Sequence, residues 1–171
     1  MSSKKARLFF ALWPDEGVRQ RLSDLQSRLA VNARAVPPEL FHITLAFLGD
    51  VHPGRIGELE EIANTPDFEA VQIDLDRLGY FDKARVGWVG PTRTPGPLQG
   101  FVSTLDSLLS AGGFRCNDRP WKPHVTLYRD LRKPLGKMEF ETIRWQAKSF
   151  CLVHSLNENG RLIYRPIIRF E

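Results

Sequence analysis

The sequence predicts a single α+β domain, residues 1–171, built from two βαβ-like lobes. The predicted order strand, helix, strand occurs in the first half of the chain and recurs in the second. A His-x-Thr triplet lies on the last strand of each repeat, and its histidines, His42 and His124, are 82 residues apart. We found no linker between the halves, and 42% hydrophobic with 26% charged residues is typical of one globular domain of this length. This repetition indicates an internal duplication.

The first repeat is read from apolar runs and their boundaries. The run RLFFALW at residues 7–13 predicts a short buried strand that ends at Pro14. Apolar residues with helical spacing then predict an amphipathic helix at residues 15–31, with Asp15 and Glu16 in its first turn. FHITLAFL at residues 41–48 predicts the second strand, which ends at Gly49.

Similar patterns predict the rest of the chain. A short helix is expected at residues 56–63, strands at 71–78 and 86–89, a helix around residues 101–109, and a strand at 123–128. The last two strands, 149–156 and 162–170, form a predicted hairpin, because Asn159-Gly160 is a favoured turn sequence.

Several classes of protein are excluded or disfavoured. No apolar run approaches the length of about 20 residues needed to cross a membrane, and no signal peptide is recognisable, so we expect a cytoplasmic protein without a membrane partner. Cys116 and Cys151 form no CxxC pair, and nothing resembles HExxH, so neither a metal nor another cofactor is expected. P-loop and dinucleotide-binding fingerprints are also absent from the sequence.

The charge distribution is uneven around the two histidines. Residues 115–137 contain seven basic and two acidic side chains, whereas residues 36–58 have a net charge of −2. Such runs are as often solvated surface as binding sites. The functional interpretation is that an anionic phosphate enters from the side of the second histidine.

The two triplets are alike in their neighbours as well. FHITLAF at residues 41–47 and PHVTLYR at 123–129 both read His, β-branched aliphatic, Thr, Leu. Residues i and i+2 of a strand share a face, so each histidine and its threonine, Thr44 or Thr126, should face one common groove. Two such matches among four histidines would arise by chance with a probability of roughly 1%. His52 and His154 are interpreted as structural.

Paired histidines suit the cleavage of a phosphodiester. The reaction needs a base to activate the attacking oxygen and an acid to protonate the leaving oxygen, and histidine can serve as either near neutral pH. The threonine hydroxyls can bind non-bridging phosphate oxygens. This interpretation requires no metal.

These motifs resemble the 2H phosphoesterases, and among them the RNA 2′,3′-cyclic phosphodiesterases, also called 2′-5′ RNA ligases. The resemblance covers almost the whole chain and includes RLFFALWP, HITLAFLG, RVGWVG, PHVTLYR and SFCLVHS. It implies two pseudo-symmetric lobes with antiparallel sheets lining a central groove, the LigT-like fold. It also implies hydrolysis of an RNA 2′,3′-cyclic phosphate end to a 2′-phosphate, acting on RNA or small cyclic nucleotides, by a protein that we expect to be monomeric.

The resemblance also assigns roles to residues. His42 would be the acid and His124 the base, with Thr44, Thr126 and Arg129 binding the phosphate. Strict alternation places Arg129 on the opposite face from His124, so we predict a bulge or strand end after Leu127. Candidates for stacking on a base are Phe9, for which core packing is the alternative, and Tyr128, which shares its parity with His124.

Other functions remain open on the same residues. They are 2′-5′ RNA ligation and hydrolysis of another cyclic phosphate, such as ADP-ribose 1″,2″-cyclic phosphate. A non-catalytic RNA-binding module is the alternative of a different class, although binding alone does not require an acid–base pair.

Overall fold

The computed structural model describes residues 4–115 and 117–171. Cys116, one of the two cysteines that form no CxxC pair, lies outside the described residues. The elements follow one another in the order β1 (Ala6–Leu12), α1 (Glu16–Leu29), β2 (Arg34–Ala35), β3 (Ile43–Val51), α2 (Ile56–Ala63), β4 (Val71–Leu75), β5 (Arg77–Phe81), β6 (Val86–Gly90), α3 (Gly96–Ala111), β7 (Val125–Arg129), β8 (Ile143–Ala147), β9 (Phe150–Glu158) and β10 (Arg161–Phe170).

Helix α1 forms as its sequence predicts. The carboxylate of Asp15 caps its first turn by accepting a hydrogen bond of 2.8 Å from the Val18 amide. The helix buries Val18, Leu22 and Leu25 on one face and ends where Ala30 takes a left-handed conformation, with φ of 44°. It therefore packs against the sheet near β7, where the Gln26 side chain donates to the Leu127 carbonyl.

The α+β class and the antiparallel sheets are confirmed. Seven strands hydrogen-bond in the order β10-β9-β1-β3-β7-β6-β5, and the two-residue β2 pairs with β7. Every pairing is antiparallel. The two halves of this sheet meet between β3 and β7 at one pair, Ile43 with Val125. The two strands that carry the His-x-Thr motifs are therefore the central neighbours of the sheet.

The repeat that the sequence indicates is present around this junction. β1, α1 and β3 form one unit, and β6, α3 and β7 form the second. In each unit the two strands are adjacent and antiparallel, so the units resemble βαβ motifs in order but not in strand direction. One buried cluster draws on both units, including Leu8, Ile43, Leu105 and Val125.

Three details differ from the sequence prediction. The strand predicted at residues 71–78 is two strands, because the chain leaves β4 at Asp76 and enters the other sheet as β5. β4 pairs with β8, whose pattern of buried Ile143 and Trp145 was overlooked. The helix around residues 101–109 begins earlier, at Gly96.

The terminal hairpin is confirmed together with its turn. Asn159 and Gly160 both have positive φ, 53° and 80°, as the predicted tight turn requires. The hairpin places Tyr164 of β10 opposite Ser155 of β9, near the motif strands. No helix among residues 4–115 and 117–171 is long and apolar enough to span a membrane.

Candidate active site

The two motifs form one compact patch. Because Ile43 pairs with Val125 in antiparallel register, His42 lies beside Thr126, and Thr44 lies beside His124. The histidines are thus on one diagonal of a square and the threonines on the other. All four side chains line one cleft with a volume of about 380 Å³. The prediction of a shared groove is confirmed.

Both imidazole rings are held by the main chain in the same way. Nδ1 of His42 lies 2.7 Å from the carbonyl oxygen of Leu40, and Nδ1 of His124 lies 2.8 Å from that of Lys122. A carbonyl can only accept, so each Nδ1 carries a proton and each Nε2 is left for chemistry. Nε2 of His42 lies 3.0 Å from Oγ1 of Thr44.

Aromatic rings surround His42. Its ring centroid lies 5.1 Å from that of Phe9, 5.2 Å from Tyr164 in an edge contact, and 6.0 Å from Trp13 in a nearly parallel arrangement. Burial among these rings lowers the pKa of His42 from 6.5 to about 4, although the hydrogen bond to Leu40 opposes the shift. The free protein therefore holds His42 neutral at pH 7.

His124 has a similar but more cationic environment. Its ring contacts Phe81 edge-on at 4.9 Å and Trp88 at 6.0 Å. Lys122 Nζ lies 4.8 Å from the Trp88 ring centroid. Burial is the main cause that lowers the pKa of His124, and the charges of Lys122 and Arg129 act in the same direction.

A bulge brings Arg129 into the cleft, as predicted. On β7, Thr126 pairs with Trp88 and Tyr128 pairs with Gly87, so Leu127 is an extra residue. Leu127 and Tyr128 both enter the core, and Arg129 returns to the face of His124 and Thr126. The same bulge makes the stacking role of Tyr128 wrong. Its side chain is 5% exposed, and its hydroxyl donates to the Gln26 carbonyl at 2.7 Å.

Phe9 lies on the groove side of β1, but stacking of Phe9 on a base is also wrong. Its side chain is only 3% exposed, and it packs with Ala11, Cys151 and Val153 beneath His42. The alternative of core packing holds. Phe9 thus supports the ring of His42 and, although it is in the cleft lining, exposes very little surface to a ligand.

Sequence reasoning missed several residues of the cleft. Arg7, Phe47 and Tyr164 line it together with the motif residues. Arg7 is two residues before Phe9, so strand parity could have identified it. Tyr164 could not be found, because it reaches the site only through the pairing of β10 with β9 and β9 with β1. Arg7 also adds a cation on the first-motif side, which the charge of residues 36–58 did not reveal.

A second cavity adjoins the cleft. It has a volume of about 330 Å³ and shares His42, Thr126, Arg129 and Tyr164 with the cleft. Its remaining walls are the segment before β3 and the tip of the terminal hairpin, namely Arg34, Ala35, Val36, Pro37, Leu40, Gly160, Arg161 and Leu162. An ion pair of 2.9 Å between Arg161 and Glu39 joins these two walls.

The other two histidines lie outside the cleft lining. His52 has the structural role that was expected, since its Nδ1 accepts a hydrogen bond from the Gly54 amide at 3.1 Å. His154 lies within β9, opposite Leu8 of β1. Within the described part of the chain, no group of His, Cys, Asp and Glu side chains is placed to hold a metal ion.

The chain is similar in sequence and in fold to known phosphoesterases. Residues 12–88 match the family described as LigT like phosphoesterase. The RNA 2′,3′-cyclic phosphodiesterase of Archaeoglobus fulgidus is 32% identical, over 96% of this chain and 99% of that protein. The Escherichia coli protein of the same name is 28% identical, over 98% and 97%. The crystal structure of E. coli LigT complexed with 3′-AMP matches with a TM-score of 0.91 at 27% identity, over 98% of both chains.

Proposed function

The chain belongs to the LigT-like phosphoesterases, the 2H phosphoesterase family, and from this premise we propose that it hydrolyses 2′,3′-cyclic phosphate ends of RNA to 2′-phosphates. The reaction uses His42 and His124 as an acid–base pair and requires no metal. The observation that carries this proposal is the diagonal placement of two imidazoles in one cleft, each with Nδ1 bonded to a main-chain carbonyl so that Nε2 is the atom left for proton transfer. Relatives named RNA 2′,3′-cyclic phosphodiesterase support the choice of substrate.

The proposed step is an in-line attack by water. One imidazole takes a proton from the water as its oxygen bonds to phosphorus, and the other gives a proton to the 3′ oxygen as the P–O3′ bond breaks. The phosphate remains on the 2′ oxygen. Each partner of such a pair contributes typically 100-fold to 10,000-fold to the rate.

The family resemblance makes His42 the acid and His124 the base, and the electrostatics of the site are compatible with that assignment. The pKa of His42 falls to about 4, so a protonated His42 is a strong proton donor. Burial also lowers the pKa of His124, which keeps that ring neutral at pH 7 and available as a base. Only a small fraction of the free enzyme has this protonation state at neutral pH. A bound anionic phosphate raises both pKa values and enlarges that fraction.

The neighbouring side chains bind the phosphate. Thr44 and Thr126 occupy the other diagonal of the square, so each hydroxyl lies beside both imidazoles and can donate to a non-bridging oxygen. Arg129 supplies a guanidinium at the same cleft and offsets the phosphate charge. The adjoining cavity is assigned to the nucleoside, because it opens at His42 and combines apolar walls with arginines.

The test is hydrolysis of a nucleoside 2′,3′-cyclic phosphate in EDTA, with the products resolved as 2′- or 3′-phosphates. We expect turnover by the unmodified protein, and a loss of at least about 100-fold for His42→Ala and for His124→Ala. The matched control is His52→Asn, which keeps a side-chain acceptor at that turn and should have normal activity.

Each other outcome has a defined meaning. Turnover that survives both alanine substitutions would mean that the site is wrong. No turnover by the unmodified protein would point to another cyclic phosphate or to RNA binding without catalysis. A requirement for a divalent metal would contradict the two-histidine mechanism.

A further inference from the structure

The cleft contains more positive charge than one phosphate requires. The guanidinium groups of Arg7 and Arg129 both line it, and no Asp or Glu does. Neither arginine forms an ion pair with any carboxylate of residues 4–115 and 117–171. A cyclic phosphodiester carries a single negative charge, and the mechanism adds a protonated histidine beside it. The surplus cation is therefore available for a second anionic group.

Arg7 is displaced from the reacting phosphate along β1. It lies two residues before Phe9, whose ring packs beneath His42. Two residues of a strand span about 6.8 Å, a distance comparable with the spacing of neighbouring phosphates along RNA. Asp50 lies opposite Arg7 on β3, yet the two form no ion pair. Ser155 is the neighbour on β9, and its side chain also lines the cleft.

A ring holds the guanidinium of Arg7 in place without neutralising it. The guanidinium carbon lies 5.0 Å from the centroid of the Phe47 ring. Phe47 occupies the position in the first motif that Arg129 occupies in the second, five residues after the histidine. Each motif thus brings one cation to the cleft. In the second motif it is Arg129 itself, and in the first it is Arg7, whose guanidinium lies against the Phe47 ring.

We propose that Arg7, Phe47 and Ser155 form a second phosphate subsite, which binds the internal phosphodiester on the 5′ side of the terminal nucleotide. This inference rests on the proposed function and narrows its substrate to the end of an RNA strand. The guanidinium can donate two hydrogen bonds to phosphate oxygens, and the hydroxyl of Ser155 can donate a third. A cyclic mononucleotide lacks this phosphodiester and leaves the subsite empty.

Two substrates that differ by one phosphodiester test the proposal. A dinucleotide ending in a 2′,3′-cyclic phosphate is compared with the corresponding nucleoside 2′,3′-cyclic phosphate. We expect the dinucleotide to have the higher kcat/KM, and Arg7→Gln to lower the ratio of the two kcat/KM values roughly tenfold. Arg7→Lys should restore part of the ratio, since it keeps the charge. The control Lys148→Gln removes the same charge from an exposed turn and should leave the ratio unchanged.

A dinucleotide with an uncharged internal linkage tests whether Arg7 acts on the charge of that phosphodiester. Replacing the internal phosphodiester of the dinucleotide by a methylphosphonate should reduce kcat/KM as much as Arg7→Gln does, and the two changes together should reduce it no further. Arg7→Gln should also flatten the dependence of log kcat/KM on log salt concentration by about 0.7, the slope of one phosphate contact on a single strand.

Failure of this proposal differs from failure of the proposed function. An equal loss on both substrates, or an unchanged ratio, would overturn the second subsite while hydrolysis itself stands. If the unmodified protein hydrolyses neither substrate, the proposed function fails. Binding of the dinucleotide with a 3′-phosphate then tests the subsite, and equal affinity of Arg7→Gln and the unmodified protein would overturn it.

Discussion

Leu45 and Leu127 occupy the same position in the two motifs, and each is the extra residue of a β-bulge. The carbonyl of each leucine accepts a hydrogen bond from a side-chain amide. On β3, Thr44 pairs with Ala11 and Ala46 pairs with Phe10, which leaves Leu45 without a partner, as Leu127 is on β7. The Leu45 carbonyl accepts from Asn117 Nδ2 at 3.2 Å, and the Leu127 carbonyl accepts from Gln26 Nε2 at 2.7 Å. The two motifs thus share the β-bulge as well as the residue pattern. The bulges return positions 47 and 129 to the cleft.

Gln26 should therefore stabilise both the fold and the site. Its amide is 7% exposed and also donates to the Val36 carbonyl at 2.9 Å. Gln26→Leu leaves these buried carbonyls with fewer donors, so we expect the free energy of unfolding to fall by about 1–3 kcal/mol. Urea denaturation measures this. Gln20→Leu on the exposed side of the same helix is the control, and an equal effect of both substitutions would contradict the role of Gln26.

Thr44 and Thr126 differ in their contacts, although their positions are equivalent. The hydroxyl of Thr44 lies 3.0 Å from Nε2 of His42 and can donate to it while that ring is neutral. No corresponding bond joins Thr126 to His124 in the part of the chain described. We expect Thr44→Val and Thr126→Val each to reduce kcat/KM at least about tenfold, because each removes a donor to the phosphate.

Serine substitutions provide the control for both threonines. Thr44→Ser and Thr126→Ser keep the hydroxyl and should retain most of the activity. Steady-state kinetics on the nucleoside cyclic phosphate measure all four variants. Full activity of either valine variant would mean that the threonine concerned does not contact the phosphate.

The pH dependence follows from the direction of the two pKa shifts. Activity needs one histidine protonated and the other neutral. The pKa of His42 lies at about 4, and that of His124 lies below 6.5. At low pH both rings are protonated, and above pH 6.5 both are neutral, because both pKa values lie below the ordinary value. We expect kcat/KM to be greatest between pH 4 and 6.5 and to fall as pH rises further. A maximum above pH 7 would contradict the lowered pKa values of the free enzyme.

A bell-shaped profile does not assign the acid and the base, but the leaving group does. Bis(p-nitrophenyl) phosphate releases p-nitrophenolate, which leaves without a proton. Loss of the acid should therefore matter less on this ester than on the cyclic phosphate, whereas loss of the base should matter on both. We expect His42→Ala to lose less activity, relative to the unmodified protein, on bis(p-nitrophenyl) phosphate than on the cyclic phosphate. The reverse result, with His124→Ala regaining activity, would exchange the two roles.

The sequence correctly predicted that Arg129 faces the cleft but wrongly placed Tyr128 there, and this contrast shows which features of the fold local patterns can predict. Local patterns were sufficient for α1, β3, the Asn159-Gly160 turn and the common face of the two motifs, because period and turn chemistry are properties of neighbouring residues. A bulge or strand end was predicted after Leu127 only because Arg129 otherwise faced the wrong way, and the structure has the bulge at Leu127 itself. Its consequence for Tyr128 was missed, since a bulge reverses the parity of every later residue. Tyr164 reaches the site through the pairings of β10 with β9 and of β9 with β1, which no local pattern encodes.

The adjoining cavity should contribute to binding more than to chemistry, and Leu162 is the residue with which to test this. Its side chain is 40% exposed at the hairpin tip and faces Val36, Pro37 and Leu40 across the cavity. If a nucleoside fills the space, Leu162→Ala should raise KM several-fold and leave kcat nearly unchanged, because the lost apolar contact is equal in ground and transition states. Ile167, which is 38% exposed on the same strand and outside the cavity lining, supplies the control Ile167→Ala. If kcat falls and KM does not change, Leu162 would instead shape the catalytic cleft, and the nucleoside would have to bind elsewhere.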